Sequence, residues 1–341
     1  MNVDEVWTGE SAGARAARVL LSPLSLLYGG VVGTRNALYT RGLLRTHAAP
    51  IPVVSIGNVT VGGTGKTPFS AYIVHELASA GHRPAVVMRG YGDDERHLHA
   101  RLNPGVIVIT GADRVAGIRA AVSAGADVVV LDDGFQHRRA SRDLDVVLVS
   151  AESWSSKLRL LPAGPLREPL SSLERADVVV VTRKSATSDE AHAVMGAIQA
   201  AYPEVMVAIA ALQPDALMQY AGGETIALEE LRGSRILAVA GIGDPDSFFT
   251  QLRQLGAEVT ELRFRDHYDY TAADATRIAA ASHGHKYAVT TEKDAVKLAR
   301  VWPAEGRKLW YLSQAVRLTE GYSLVASALA NLFKRATSIA E

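Results

Sequence analysis

An α/β fold, a mostly parallel sheet flanked by helices, is what this sequence predicts, on three observations. Apolar runs and stretches of helical spacing alternate down the chain, the pattern of parallel strands joined by crossover helices. The run Val53-Val54-Ser55-Ile56 leads into Gly62-Gly63-Thr64-Gly65-Lys66-Thr67 and then a helical stretch, the strand, glycine loop, helix order that cradles phosphates. A later run of valines and leucine ends in Asp132-Asp133, which puts carboxylates at the end of a parallel strand, where α/β sites lie. Together these specify a P-loop NTPase-type sheet. The strict G-x-x-x-x-G-K-[ST] spacing asks for glycine where this chain has Thr60, so the match rests on GGTGKT and its context.

Each part of that loop has a physical task. Glycines let backbone N–H groups converge on phosphate oxygens, and the helix N-terminus adds roughly half a positive charge. Lys66 can reach the β- and γ-phosphates of a nucleotide such as ATP, and the Thr67 hydroxyl can hold Mg²⁺. The helix so started is predicted over residues 66–80.

At 341 residues the chain is long enough for two domains. Its 36 basic and 36 acidic side chains balance, which argues against a general nucleic-acid binder. The absence of cysteine excludes disulfides, thiolate zinc sites and cysteine nucleophiles, and it fits a reducing cytoplasm.

Before the phosphate loop, no acidic residue occurs between Glu10 and Glu76, while Arg15, Arg18, Arg35, Arg41 and Arg45 surround the apolar residues 19–32. Ser22, Pro23, Ser25 and Gly29-Gly30 interrupt this segment, and it falls short of the roughly 20 apolar residues of a membrane span. A cationic, apolar segment with Tyr28 and Tyr39 near its ends suits a helix lying on an anionic leaflet, each basic residue contributing about 1 kcal/mol. The same residues also suit a core helix capping the next domain, and the two uses fit opposite faces of one helix. Residues 1–45 are therefore assigned to a membrane-associating segment.

After the loop, residues 83–88 read as a strand, followed by Arg89-Gly90-Tyr91-Gly92 and the charged run Asp93-Asp94-Glu95-Arg96, read either as a site loop or as a solvated turn. Residues 106–110 form a strand and 113–124 a helix. Residues 127–132 then have the form of a Walker B strand delivering a carboxylate to Mg²⁺, and Gly134-Phe135-Gln136-His137 follow. Two adjacent carboxylates and a histidine are costly to crowd without a cation or proton to organise them. Residues 145–150 give the next strand. In the irregular stretch 151–176, Pro162, Pro165 and Pro169 stiffen a loop carrying Arg167 and Glu168, as site residues or as surface. Residues 177–182 and 205–211 read as strands, with a helix at 188–201 between them.

The periodicity breaks around 213–233, which places a boundary between a P-loop domain, 46–222, and a smaller α/β domain, 223–341. In the latter, 235–240, 258–264, 287–291 and 308–312 read as strands. Helices are predicted after Asp246, from a Thr271 cap and from about Thr319, the terminal one able to return to the first domain. GIGDPD lacks the third glycine of a dinucleotide fingerprint.

In order, LLSPLSLLYGGVVGTRNALY, SIGNVTVGGTGKTP, RGYG, LDDGFQH, LPAGPLREP, AVAGIGDPDSFF, FRDHYDYT and TTEKDAVKL closely resemble the tetraacyldisaccharide 4′-kinases of lipid A biosynthesis. The resemblance spans residues 19–300 and implies a peripheral kinase on the cytoplasmic face of the inner membrane. It would move the γ-phosphate of ATP, with Mg²⁺, to the 4′-hydroxyl of a lipid A disaccharide 1-phosphate. It further implies that Gly62, Gly63, Thr64, Gly65, Lys66 and Thr67 bind the triphosphate and that Thr67, Asp132 and Asp133 organise the metal. Lys66 and Asp133 count among the catalytic residues, and His137 would sit near the transferred phosphate with a carboxylate partner. That partner comes from a GDE-type motif; here the loop is shortened, and DDERH offers Asp94, with Asp93 as rival and Arg96 where proline is usual. Glu168 and His267 match nucleotide-site positions of the loop and of the second domain. Two other readings share the phosphate loop: a membrane-cycling P-loop ATPase without lipid acceptor, and a soluble small-molecule kinase.

Overall fold

The computed structural model describes residues 3–90, 93–304 and 307–337, with the backbone alone at Asp4, Asp93, Asp94 and 335–337. The chain opens with α1 (Val3–Thr8) and the long α2 (Ala12–Thr40). There follow β1 (Val53–Asn58), α3 (Lys66–Ser79), β2 (Pro84–Met88), α4 (Asp93–Leu102), β3 (Ile107–Thr110), α5 (Arg114–Ser123) and β4 (Val128–Asp132). Next come β5 (Leu144–Ser150), β6 (Val178–Arg183), α6 (Ser188–Ala201), β7 (Met206–Gln219) and the short β8 (Thr225–Ile226). The last part holds β9 (Arg235–Ala240), α7 (Pro245–Gln254), β10 (Glu258–Arg263), α8 (Ala272–Ala281), β11 (Tyr287–Thr291), α9 (Glu292–Leu298), β12 (Leu309–Glu320) and α10 (Tyr322–Thr337).

All the strands join one sheet in the order β10-β9-β11-β12-β7-β6-β5-β1-β4-β2-β3, with β8 on β7. Neighbours run parallel except at β7/β12 and β7/β8. Leaving β1, the chain first lays β2, β3 and β4 on one side and then β5, β6 and β7 on the other. β1 therefore sits at the switch point, beyond whose carboxyl end a crevice must open. Strands β1, β2, β4 and β5 are buried throughout, as valine-rich strands covered on both faces should be.

The strands expected around 205–211 and 308–312 are much longer in the structure. β7 and β12 pair antiparallel across the stretch where the sequence suggested a boundary, so the sheet is continuous from one half to the other. The break in periodicity has a local cause: Pro214 sits beside a register shift between Leu312 and Gln314, and exposed and buried residues alternate irregularly there. Each half keeps its own core. Val54, Ile56, Phe69, Ile73 and Val180 anchor one cluster, onto which α10 returns with Val325, Leu329 and Leu332. Ile236, Phe248, Phe249, Leu252 and Trp310 anchor a cluster in the other half.

The charged stretch 93–96, read as a loop or turn, opens helix α4, and a second charged stretch, 292–294, opens α9. Thr291 caps α9, its hydroxyl accepting from the Asp294 N–H at 3.1 Å. In α4 the inward side carries Leu98, His99 and Leu102, too polar a face to show a helical apolar period.

The N-terminal segment is not interrupted either. α2 runs 29 residues through Pro23, long and apolar enough by length and composition to cross a membrane. One of its faces is tied to the body of the protein. Ser25 Oγ donates to the Leu160 carbonyl at 2.9 Å, Tyr28 OH to the Arg167 carbonyl at 2.9 Å, and Arg35 and Asn36 reach Glu168. The other face leaves Val19, Leu20, Leu24, Leu27 and Val31 exposed, Leu20 to 83%.

Candidate active site

The loop between β1 and α3 is held open by its own sequence. Asn58 Nδ2 donates to Thr64 Oγ1 at 3.1 Å and Thr182 Oγ1 donates to the Thr64 carbonyl at 2.9 Å, so Thr64 is buried and pinned from both sides. Gly65 has φ +83°, a conformation strained for other residues, and a Cβ there would lie 2.4 Å from Leu212 Cδ2, so Leu212 would have to shift as well. Gly65 is also the N-cap of α3 and offers no side-chain acceptor, so the first N–H groups of the helix are left facing the crevice. Lys66 and Thr67 open that helix.

Across from them, at the carboxyl end of β4, the two aspartates point different ways. Asp132 is buried and turns toward α3 and α4: Oδ1 accepts from Ser70 Oγ at 3.2 Å, and Oδ2 is 2.8 Å from His99 Nε2 and 3.5 Å from Thr67 Oγ1. Asp133 adopts φ +55° and swings into the crevice, where Arg167 Nη1 donates to both its oxygens at 3.0 and 2.9 Å and Lys66 Nζ lies 3.7 Å away. Burial alone would raise the Asp133 carboxyl, but Lys66 and Arg167 outweigh it and hold it below the usual carboxylate range. Burial also lowers the Lys66 ammonium, against the pull of Asp133.

The crevice encloses about 380 Å³ between the two halves of the sheet. Lys184, just after β6 in the first half, bridges them: its Nζ donates to the Gly63 carbonyl at 2.5 Å and to Asp244, the N-cap of α7 in the second half, at 2.6 Å. His267, with φ +56°, lines the same crevice, its Nε2 3.4 Å from Lys293 Nζ. Glu292 also lines it; burial pushes its carboxyl up to about 7, with Arg101 opposing weakly.

Of the residues singled out in the sequence, Gly62 to Thr67, Asp132, Asp133 and His267 meet in this crevice, and Arg167 joins them. Two do not. His137 lies past a tight turn, its N–H donating to the Gly134 carbonyl at 2.8 Å, and it does not line the crevice; burial and the charge of Arg114 lower its pKa. Glu168 is wholly buried beneath α2, its carboxylate taken by Asn36 at 2.7 Å, Arg175 at 2.9 Å and Arg35 at 3.3 Å. The side chains of Asp93 and Asp94 lie outside the described residues; the first turn of α4, which carries them, borders the crevice at Glu95. Ser70, His99, Lys184 and Asp244 escaped the sequence reading, because their roles depend on partners 33 to 62 positions away.

The donor set suits Mg²⁺. Thr67 Oγ1, Asp132 and Asp133 supply hard oxygens, and Mg²⁺ takes one or two carboxylates and completes its shell with phosphates and water.

A family model described as tetraacyldisaccharide-1-P 4′-kinase matches residues 17–333. The chain is 39% identical over 333 residues to the tetraacyldisaccharide 4′-kinase of Anaeromyxobacter sp. (strain Fw109-5), covering 89% of this chain and 90% of that one. It is 37% identical to the enzyme of that name from Halorhodospira halophila, covering 96% and 95%. A crystal structure of LpxK from Aquifex aeolicus in complex with ATP superposes with TM-score 0.72 at 30% identity, over 93% of this chain and 99% of that one.

Proposed function

The chain belongs to the tetraacyldisaccharide-1-P 4′-kinase family, ATP-dependent phosphotransferases of lipid A biosynthesis, and from that premise we propose how its crevice performs the transfer. The carrying observation is the convergence on one crevice of the α3 N-terminus, Lys66, Asp133 and Arg167. The free N–H groups of the loop and Lys66 take the β- and γ-phosphates of ATP. Thr67, Asp132 and Asp133 hold the accompanying Mg²⁺, which when bound neutralises charge on those phosphates. Arg167, already aimed at Asp133, is placed to share the charge that spreads over the transferred group.

The reaction forms a bond from the sugar 4′-oxygen to phosphorus and breaks the bond from phosphorus to the β–γ bridging oxygen, so ADP leaves. The hydroxyl proton goes to a carboxylate, for which we retain Asp94 on the first turn of α4, with Asp93 as the competing assignment. His267 approaches from the second half and is assigned to the nucleotide side. The two halves, 46–222 and 223–341, serve as the walls that close on the nucleotide, joined through β7 and β12.

The acceptor's acyl chains belong to a bilayer, and α2 is the element suited to meet it. Its body-facing side is spent on Ser25, Tyr28, Arg35 and Asn36, so it lies along the protein with Leu20, Leu24 and Leu27 outward, as an interfacial helix on the cytoplasmic face of the inner membrane would. Sedimentation with anionic vesicles checks this: protein lacking residues 1–34 should stay in the supernatant, and equal pelleting would refute it.

The test of the reaction is transfer of labelled γ-phosphate from ATP–Mg²⁺ to a tetraacylated glucosamine disaccharide 1-phosphate in mixed micelles, beside a control without lipid. A bisphosphorylated lipid is expected, with little ATP turnover in the control. Phosphate release at a rate indifferent to lipid would replace the kinase by a membrane-cycling ATPase.

A further inference from the structure

His99 has no place in the scheme so far, yet its environment is unusual. It is a fully buried histidine on α4, with Nε2 2.8 Å from Asp132 Oδ2 and no partner for Nδ1 among the described residues. A carboxylate oxygen only accepts, so Nε2 carries the proton of this bond. The ring is thus oriented by one hydrogen bond and by packing. From the other end of the same carboxylate, Ser70 Oγ donates to Oδ1 at 3.2 Å. Each oxygen thus has a close donor that opposes rotation of the Asp132 carboxylate, and Thr67 Oγ1 adds a longer bond to Oδ2 at 3.5 Å.

α4 gives the contact a second meaning. Glu95 and His99 are four residues apart and share a helix face, and Glu95 lines the crevice. The first turn of α4 therefore borders the crevice while its second turn holds the carboxylate at the end of β4. A buried histidine–carboxylate contact is poor value for stability alone, since desolvation offsets most of its attraction and an apolar pair would pack as well. Outer partners of a metal-binding carboxylate, by contrast, set its orientation and typically change metal affinity by 10- to 100-fold.

We propose that His99 is a positioning residue of the phosphate site: it fixes the Asp132 carboxylate for the divalent cation and so couples the first turn of α4 to the end of β4. The proposal rests on the phosphate-site reading of the crevice. It requires that His99 affect cation-dependent nucleotide binding and leave cation-free binding alone.

The experiment titrates Mg²⁺ into full-length protein with a fluorescent ADP analogue, for the parent chain, His99→Leu and His99→Gln. The parent should bind the nucleotide more tightly with Mg²⁺ than with EDTA. His99→Leu should need roughly 10- to 100-fold more Mg²⁺ for the same enhancement, with unchanged affinity in EDTA. His99→Gln, which keeps a donor near the Nε2 position, should recover most of the loss. No Mg²⁺ enhancement in the parent would overturn the phosphate-site reading itself. Enhancement in the parent with an identical Mg²⁺ midpoint in folded His99→Leu would overturn the role of His99 alone. Should His99→Leu not fold, the parent labelled with ¹⁵N-histidine decides. Mg²⁺ added to the ADP complex should shift the slowly exchanging His99 Nε2–H signal, assigned by its loss in His99→Gln; an unmoved signal refutes the coupling.

Discussion

Glu168→Gln separates an anchor from a nucleotide ligand. The Glu168 side chain is 1% exposed and accepts from three donors, Asn36, Arg35 and Arg175. The Arg175 contact at 2.9 Å is a charge-assisted hydrogen bond with one partner buried, of a kind that contributes about 1.5–3 kcal/mol. Arg35 is 40% exposed, so its pair is discounted to the roughly 0–1 kcal/mol of a surface contact. Glutamine keeps the shape and one acceptor but turns an N–H₂ group toward a cation, so the expected cost is about 2–4 kcal/mol. Urea unfolding followed by circular dichroism reads this directly. With a slope of at least the 1–3 kcal/mol per molar typical of small proteins, the midpoint should fall by about 1 M, and faster amide exchange should concentrate in α2. ATP affinity, by fluorescence titration, should stay within about twofold, because Glu168 does not line the crevice. An unchanged midpoint together with tenfold weaker ATP binding would refute this and return Glu168 to the nucleotide.

The phosphate site itself predicts that Lys66→Ala and Asp133→Ala lower turnover by orders of magnitude in correctly folded protein. Between Asp94→Ala and Asp93→Ala, the variant that loses kcat while keeping ATP affinity identifies the base; near-normal kcat in both would remove that role from the first turn of α4. Glu292 predicts a pH dependence of stability. Its carboxyl titrates at about 7 in the fold against an ordinary 4.5, because burial penalises the charged form. Between these values the folded state holds a proton that the unfolded chain has lost, so stability falls as pH rises through that window and levels off above it. The side chain is 19% exposed, and the full cost above the window is about 3 kcal/mol. Glu292→Gln, neutral throughout, should therefore gain stability over the parent at pH 8 and nearly none at pH 4.5. An equal difference at both pH values in chemical denaturation would count against a titrating Glu292.

What the sequence made legible divides along a physical line. Gly62, Gly65, Lys66 and Thr67 announce themselves because close approach of backbone to phosphate demands those types in that order, and Gly62 and Gly65 do adopt the positive φ that favours glycine. The β1 and β4 strands were legible as continuous apolar runs because both their faces are covered. Direction was not legible. His137 follows Asp132 closely in LDDGFQH, but Asp133 at φ +55° and the turn closed on Gly134 reverse the chain, and His137 does not line the crevice. The loss of periodicity near 213–219 is local for a related reason: a strand distorted beside Pro214 loses its alternation as readily as a linker does.

The dipeptide Arg167-Glu168 shows what such directional information decides. The two residues are adjacent, and their side chains go to opposite destinations, Arg167 to Asp133 in the crevice and Glu168 to Asn36 and Arg35 under α2. The backbone carbonyl of Arg167 meanwhile accepts from Tyr28 of the same helix. One short, proline-bounded segment therefore fixes the orientation of the exposed apolar helix and the charge partner of the crevice aspartate together. A small shift of α2 that keeps the Tyr28 bond pulls on the Arg167 backbone, and with it on a guanidinium that makes two bonds of 3.0 Å or less to Asp133. The exposed apolar helix and the crevice aspartate are thus both tied to one short segment through covalently adjacent residues, which side-chain packing alone between two separate elements would not guarantee.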